Sequence, residues 1–334
     1  MGTNYHYRRQ ILALDDDQLE EFVRQWVLKK PEYVEVERFT GTGDLGRDVV
    51  GFLTAERHEA GWDNYQCKQY GRTLPTDTGI SELGKVLYYS WKGEFTAPEK
   101  FFFVAPRGVN RNLRRLIFKP SEFKATLIGE WNKYCADAII DNVHIPLDEG
   151  LKAFIEAWDF SRISPISVDV MLGDAAAGPV LYHWFGADPG PAPAGVTPAD
   201  VQEVELPYIQ GLLDAYSERE GHVFADHAAA GAHATHGPHL RMQRERYFEA
   251  DAFTRFYRDS TTTKDTDDLR KDIMHGIYDT HVAKHEDMLA RVNAVMIQAG
   301  NSQPAGPLAK YARTPVKQGI CHHFINEGQL TWKP

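Results

Sequence analysis

Residues 39–70 read FTGTGDLGRDVVGFLTAERHEAGWDNYQCKQY, a pattern of two strands joined by a polar turn. The predicted first strand, Arg47–Thr54, sets Asp48, Val50 and Phe52 on one face and Val49, Gly51 and Leu53 on the other. The second, Asn64–Tyr70, alternates Gln66, Lys68 and Tyr70 with Tyr65, Cys67 and Gln69. Between them, ERHEAGWD is charged and contains glycine, as a solvent-facing turn does. A hairpin centred near His58 puts Asp48 opposite Lys68 and one residue pair from Gln66. Opposed side chains in a sheet lie about 5 Å apart. A carboxylate, an amide oxygen and an ammonium then share one patch of sheet.

Those residue types suit phosphodiester hydrolysis. Mg²⁺ (or Mn²⁺) is a hard cation that takes oxygen ligands and keeps several waters. Asp48 is the candidate direct ligand, with neutral oxygens from Gln66 and the Cys67 backbone carbonyl. Lys68 beside a metal-bound water can orient it, help it lose a proton, or offset charge growing on the phosphate. Gly41, Gly43 and Gly46 allow a tight turn and leave room for a nucleic acid to approach. The competing interpretation is an ordinary hairpin with a wet polar face.

A chain of 334 residues is long enough for two domains, and 43% hydrophobic residues can fill a sizeable core. The sequence has no run of apolar residues long enough to span a bilayer, and MGTNYHYRRQ lacks an apolar signal region. A cytoplasmic protein with no membrane partner is therefore expected. Cys67, Cys135 and Cys321 are odd in number and far apart, which argues against a disulfide framework and a CxxC zinc site. The net charge of −10 is not that of a protein that coats DNA indiscriminately. Residues 1–160 hold 21 basic and 25 acidic side chains, so DNA contact there must rest on a local basic patch.

Asp15–Asp17 cap a predicted helix with Leu19, Phe22, Val23, Trp26 and Val27 on one stripe. Glu20 falls at the edge of that stripe and can reach inward; Glu21 points away. EYVEVERF reads as a short strand before the glycine turn. After the QCK strand, Thr78 is placed to cap a helix with Ile80, Leu83, Leu87 and Trp91 inward. FFFVAP is a continuous apolar run suited to a buried central strand. Asn110 opens a further helix whose outer side is expected to carry Arg107, Arg111, Arg114 and Arg115. A solvated basic face and a phosphate-binding stripe are both compatible with that spacing. Helical patterns over Ser121–Ala136 and Asp148–Phe160 complete an α/β unit of at least four strands.

The domain expectation is an α/β unit over 1–160, a Pro/Gly-rich connector over 161–199 and an all-α domain over 200–334. Helices are predicted at Leu206–Glu220, Arg241–Asp259, Asp267–His281 and Glu286–Gln298, followed by an irregular tail. His222, His227, His233, His236 and His239 crowd an Ala/Gly-rich stretch. Their spacing fits no familiar zinc pattern, and a flexible connector is the expectation. Cys321, His322 and His323 in the tail are read as part of a docking segment with buried anchors rather than a ligand set.

The path LEEFV, TGTGDLGRDVVGF, NYQCKQY, FFFVAPRGVN resembles the PD-(D/E)xK restriction-endonuclease-like superfamily, nearest to Mrr-like and CBASS-type DNA endonuclease domains. The segments LLDAYSEREGHVF, RERYFEADAFTRFYRD, HGIYD and GICHHFINEGQLTW resemble the C-terminal part of ABC-three-component effectors. Together they look like the Lamassu effector nucleases. The resemblance implies a mixed sheet flanked by helices, with Asp48, Gln66 and Lys68 as the catalytic triplet and Glu20 as the first-helix acidic position. Gln66 stands where the family more often has an acid. The resemblance further implies antiviral or anti-plasmid defence and cleavage of double-stranded DNA. It also implies restraint by an SMC/Rad50-like ATPase with a third small subunit, and assembly into a homo-tetramer on release. The alternatives are a catalytically idle fold serving as a DNA-binding or assembly module, and RNA as substrate.

Overall fold

The computed structural model describes residues 2–41 and 43–333, with side chains from His6 onward; Thr42 of the glycine turn lies outside the described residues. The chain divides into two compact units, one ending at Ala187 and one beginning at Asp188.

The first unit opens with α1 (Gly2–Leu12) and α2 (Asp16–Val27). Asp15 starts α2 through a capping box: its side chain accepts the Gln18 N–H at 2.8 Å, and Gln18 Oε1 accepts the Asp15 N–H at 3.1 Å. The predicted stripe Leu19, Phe22, Val23, Trp26 and Val27 is buried. Three strands follow, β1 (Glu35–Arg38), β2 (Val49–Phe52) and β3 (Trp62–Cys67). Then come α3 (Thr76–Trp91), β4 (Lys100–Val104), α4 (Arg111–Ile117), α5 (Pro120–Gly129), α6 (Trp131–Tyr134) and α7 (Glu149–Ala157). β5 (Ile163–Ile166), α8 (Val168–Gly173) and α9 (Gly178–Phe185) finish it. The first residue of α3 is Thr76, so Thr78 sits inside that helix rather than capping it.

The five strands form one mixed sheet in the order β1-β2-β3-β4-β5. The β1–β2 and β2–β3 pairs are antiparallel; β3–β4 and β4–β5 are parallel. Val50, Phe52, Trp62, Phe101 and Phe103 face α3 to α7 in one apolar core, and Val49, Tyr65, Cys67 and Val104 face α1, α2, α8 and α9 in another. Helices on both faces leave the strands buried on both sides, which is why FFFV reads as a continuous apolar run. Side chains of the central strands therefore approach solvent at the strand ends.

The hairpin register differs from the expectation. Val49 pairs with Tyr65 and Val50 with Asn64, which centres the hairpin on Arg57 rather than His58. Extended by one residue, this ladder sets Asp48 across from Gln66, with Lys68 one pair beyond. Arg57 adopts a left-handed φ of 53° and opens a 3₁₀ turn over Arg57–Glu59, a conformation the charged sequence alone does not announce.

Residues 163–187, which fall within the expected connector, supply β5, α8 and α9 of the first unit. β5 reads ISPI and lies at the sheet edge, where Pro165 needs no donor on its open side.

Among its described residues the second unit is all-α: α10 (Leu206–Glu220), α11 (His227–Ala232), α12 (His236–Ser260), α13 (Thr263–Val282), α14 (Met288–Asn301) and α15 (Thr314–Asn326). α11 and the start of α12 occupy the stretch expected to be a flexible connector. α15 occupies much of the expected irregular tail, and it packs tightly on α12. A Cβ at Gly319 would lie 1.8 Å from the Arg246 carbonyl oxygen, so only glycine permits that approach. Ile320 and Phe324 are the buried aliphatic and aromatic anchors expected of that stretch, and Cys321 and His322 are buried with them.

Candidate active site

Asp48 lies at the N-terminal edge of β2 with 6% of its surface exposed. Its Oδ2 accepts the Gln66 amide N–H at 2.9 Å and the Cys67 backbone N–H at 2.7 Å. Lys68 Nζ stands 4.0 Å from the same oxygen. The structure thus brings Asp48, Gln66 and Lys68 together at the C-terminal end of β3. The Cys67 thiol is no nucleophile: burial, with Asp48 beside it, holds it well above its usual range.

Burial pushes the Asp48 carboxyl up to about 7, with Glu82 and Glu20 adding to the rise against the pull of Lys68. Burial acts to lower the Lys68 ammonium, but Asp48 and Glu82 outweigh it and hold the group above its ordinary range. Lys68 therefore remains a cation at neutral pH.

Glu82 was not foreseen from the sequence. It projects from α3 and pairs with Lys68 at 2.9 Å. On the helix wheel Glu82 stands nearly opposite Ile80 and is neighboured on the buried face by Val86, so the inward stripe gave little signal for it.

Glu20 reaches the same strand end from α2. Gln69, just past β3, fixes that helix corner: its Nε2 donates to the carbonyls of Ile11 and Leu14 at 3.1 and 2.9 Å, and its N–H to Asp16 at 3.0 Å. Glu20 is ion-paired to Arg38 at 2.8 Å, while Glu21 turns away to Arg24 and Gln25.

The glycine turn is held by Arg47, whose guanidinium lies 4.4 Å from the centroids of both Phe39 and Phe95 and 2.7 Å from His58 Nε2. Burial, then Arg47, pushes His58 down to about 4, so it is a neutral anchor inside an aromatic cage. Gly41 and Gly46 take left-handed φ values of 83° and 91°, as the tight turn requires.

The donor set suits a hard divalent cation. The Asp48 and Glu82 carboxylates converge on the Lys68 ammonium, and Glu20 lies near enough to Asp48 to raise its carboxyl. On the same face, Asn64 donates to Gln66 Oε1 at 3.4 Å, and its own buried Oδ1 has no hydrogen-bond partner among the described residues. An orphaned amide oxygen beside an under-compensated carboxylate is an environment that a cation or its water relieves.

The arginines divide. Arg111, Arg114 and Arg115 are exposed on α4, whose cap Asn110 accepts the Leu113 N–H at 2.8 Å. Arg107 is not on that helix; it sits in the turn after β4, because Pro106 and Gly108 end the strand in a turn. It lines a shallow groove with Arg8, Arg9, Leu12 and Ala13. Lys68 N–H bonds to the Val104 carbonyl at 2.9 Å, so Arg107 and Lys68 follow parallel strands out of the same sheet edge. Arg115 pairs with Glu122 at 2.8 Å, and Arg114 lies over the Phe118 ring at 5.5 Å.

No described helix is long and apolar enough to cross a membrane. No curated protein and no solved structure matches the chain. Residues 205–332, nearly all of the helical unit, match the family model of C-terminal domain 6 of the ABC-three component (ABC-3C) systems.

Proposed function

We propose that the chain is a metal-dependent DNA endonuclease with a PD-(D/E)xK-like first unit, serving as the effector of an ABC-three-component defence system. The observation that carries this reading is the meeting of Asp48, Gln66 and Lys68 at one strand end, with the carboxylate only partly compensated. The match of residues 205–332 supports the defence-system context.

Mg²⁺ (or Mn²⁺) bound there supplies a Lewis acid for the phosphate and a water of lowered pKa. Asp48 and the Gln66 amide oxygen would hold it. The Cys67 carbonyl and Glu20 are the further oxygen donors. Lys68, kept cationic and oriented by Glu82, stabilises negative charge developing on the phosphate. It acts as a fixed charge rather than as a proton acceptor. Arg107 and Arg111 bind flanking phosphates from the adjacent edge. Control falls to the partners: an SMC/Rad50-like ATPase and a third small subunit hold the chain inactive, and release leads to a homo-tetramer.

The test is supercoiled plasmid DNA incubated with the purified chain and Mg²⁺ over a wide range of protein concentration, beside Asp48→Ala and a chelator control. Nicking or linearisation that needs both the metal and Asp48 supports the proposal. DNA binding without cleavage at every concentration would establish the module reading instead.

A further inference from the structure

We infer that Glu220, His233 and His236 form a transition-metal site in the helical unit, with Zn²⁺ the ion its chemistry fits. The inference rests on the second unit alone and is independent of the nuclease reading.

The three groups sit where three helices meet, and His233 caps α11 from just outside it. Glu220 is the last residue of α10, His233 follows the last residue of α11, and His236 opens α12. One ligand atom from each lies within 4.8 Å of the other two. Tetrahedral zinc with bonds near 2.0–2.1 Å sets its ligand atoms about 3.3 Å apart. Glu220 Oε1 and His236 Nε2 are already 2.9 Å apart. The two imidazoles are stacked with centroids 4.6 Å apart and planes 17° from parallel, so their in-plane lone pairs do not converge until the half-buried His233 ring rotates about its side-chain bonds toward Glu220 and His236.

A hydrogen bond between Glu220 and His236 accounts for only two of the three groups. His233 is left with long contacts from the backbone N–H groups of Thr235 and His236, at 3.4 and 3.3 Å, which compete weakly for its lone pair. The corner that presents the pair is fixed. A Cβ at Gly237 would lie 2.3 Å from the Gly231 carbonyl oxygen, so glycine lets α12 start directly against α11. His236 is further held by stacking on Tyr216 at 4.4 Å. A preformed ligand pair lowers the ordering cost of binding.

The donors select the metal. Two imidazoles and a carboxylate favour zinc and its neighbours over Mg²⁺ or Ca²⁺, which prefer all-oxygen sets. Glu220 has a third of its side chain exposed, leaving a coordination position open to solvent. Water takes the fourth position.

The experiment uses the full, untagged chain in an Asp48→Ala background, so that the first unit's carboxylate contributes nothing. After chelator stripping, exposure to Zn²⁺ and dialysis, metal content is measured by mass spectrometry. Thermal unfolding and the visible spectrum of the Co²⁺ form are recorded on the same protein. One zinc per chain, a higher melting temperature with zinc and intense four-coordinate Co²⁺ bands are expected. Glu220→Gln and His233→Ala should lose the metal and its stabilisation. Glu220→Gln serves where His233→Ala disturbs the corner, because the amide keeps the hydrogen bond to His236. No retained zinc in the parent, or equal retention by Glu220→Gln, overturns the inference.

Discussion

Lys68 is ion-paired to Glu82, with Nζ 2.9 Å from Oε1, and stands 4.0 Å from Asp48 Oδ2. The ammonium is thus aimed by a residue on a helix that packs against the sheet, and the strand need not orient it alone. A charged group that acts on a transition state is worth most when its direction is set beforehand.

Asp48→Ala and Lys68→Ala should fold and lose DNA cleavage by orders of magnitude, since in the proposed nuclease each removes a group acting on the reacting phosphate. Glu82→Gln keeps a hydrogen-bonding partner for Lys68 and should cost less, about ten-fold or ~1.4 kcal/mol. Glu20→Ala should fall between wild type and Asp48→Ala, because Arg38 shares that carboxylate. Glu21→Ala should be silent. Wild-type cleavage by Asp48→Ala, or equal losses at Glu20 and Glu21, would remove the site from this strand end.

Much of this site was legible because strand alternation and helix periodicity depend on near neighbours. The hairpin, the Asp15 cap, the stripe on α2 and the bounds of α10 all follow from such local patterns. Register was misjudged by one pair because Arg57 takes a left-handed conformation that only tertiary packing decides. Glu82 was missed because its place depends on how α3 crosses the sheet. The α15 helix was hidden by its composition. Lys317, Gln318 and His322 look solvent-exposed in sequence, yet all three are buried. Lys317 donates to the Gly300 and Ser302 carbonyls, and His322 contacts Gln243 at 2.9 Å.

The Asp48 carboxyl should leave a signature in stability. Its value rises from 3.8 to about 7 on folding, chiefly through burial. Between those values the folded chain keeps a proton that the unfolded chain has lost. The stabilising contribution is complete below 3.8 and is lost as pH rises through about 7, with a slope of up to ~1.4 kcal/mol per pH unit. In chelator, wild type should therefore lose stability from pH 5 to pH 8 more steeply than Asp48→Asn. Mg²⁺ should restore part of the loss at the higher pH. Urea midpoints with the same pH dependence in both proteins would contradict this assignment.

Arginine replacements should separate phosphate binding from structural pairing. Arg107→Ala with Arg111→Ala should weaken DNA association and reduce the log–log salt slope by about 0.9 for each phosphate no longer neutralised. Arg115→Ala should do less, because Glu122 already holds that guanidinium. Binding isotherms at several salt concentrations read this directly; an unchanged slope assigns the stripe to solvent or to a protein partner.

In the helical unit, Arg244 is bonded to Glu205 at 2.7 Å and to the carbonyls of Pro198 and Asp200 at 2.9 Å. The Glu205 side chain is fully buried. Removing one partner strands the other charge, so Arg244→Met should cost about 3–5 kcal/mol, and the double variant Glu205→Gln, Arg244→Met should recover part of that. Denaturation of the four proteins forms the cycle. A single variant as stable as the parent would show that the pair does not hold this unit together.

Activity should depend on self-association. One active site of this kind cuts one strand, so severing a duplex takes at least two, related by symmetry around the DNA. The net charge of −10 works in the same direction. A lone chain has little general attraction for DNA, whereas an assembly aligns several sets of Arg107, Arg111 and Arg114 along one duplex. A partner complex that engages the helical unit and keeps copies apart is then a sufficient off-switch, and release shifts the population toward the cutting form. Specific cleavage activity measured against protein concentration, with light scattering on the same samples, decides the matter. A steep rise that tracks a species of about four chains supports the mechanism. Activity proportional to concentration from a chain that stays monomeric throughout excludes it, and moves the point of control from assembly to access at Asp48.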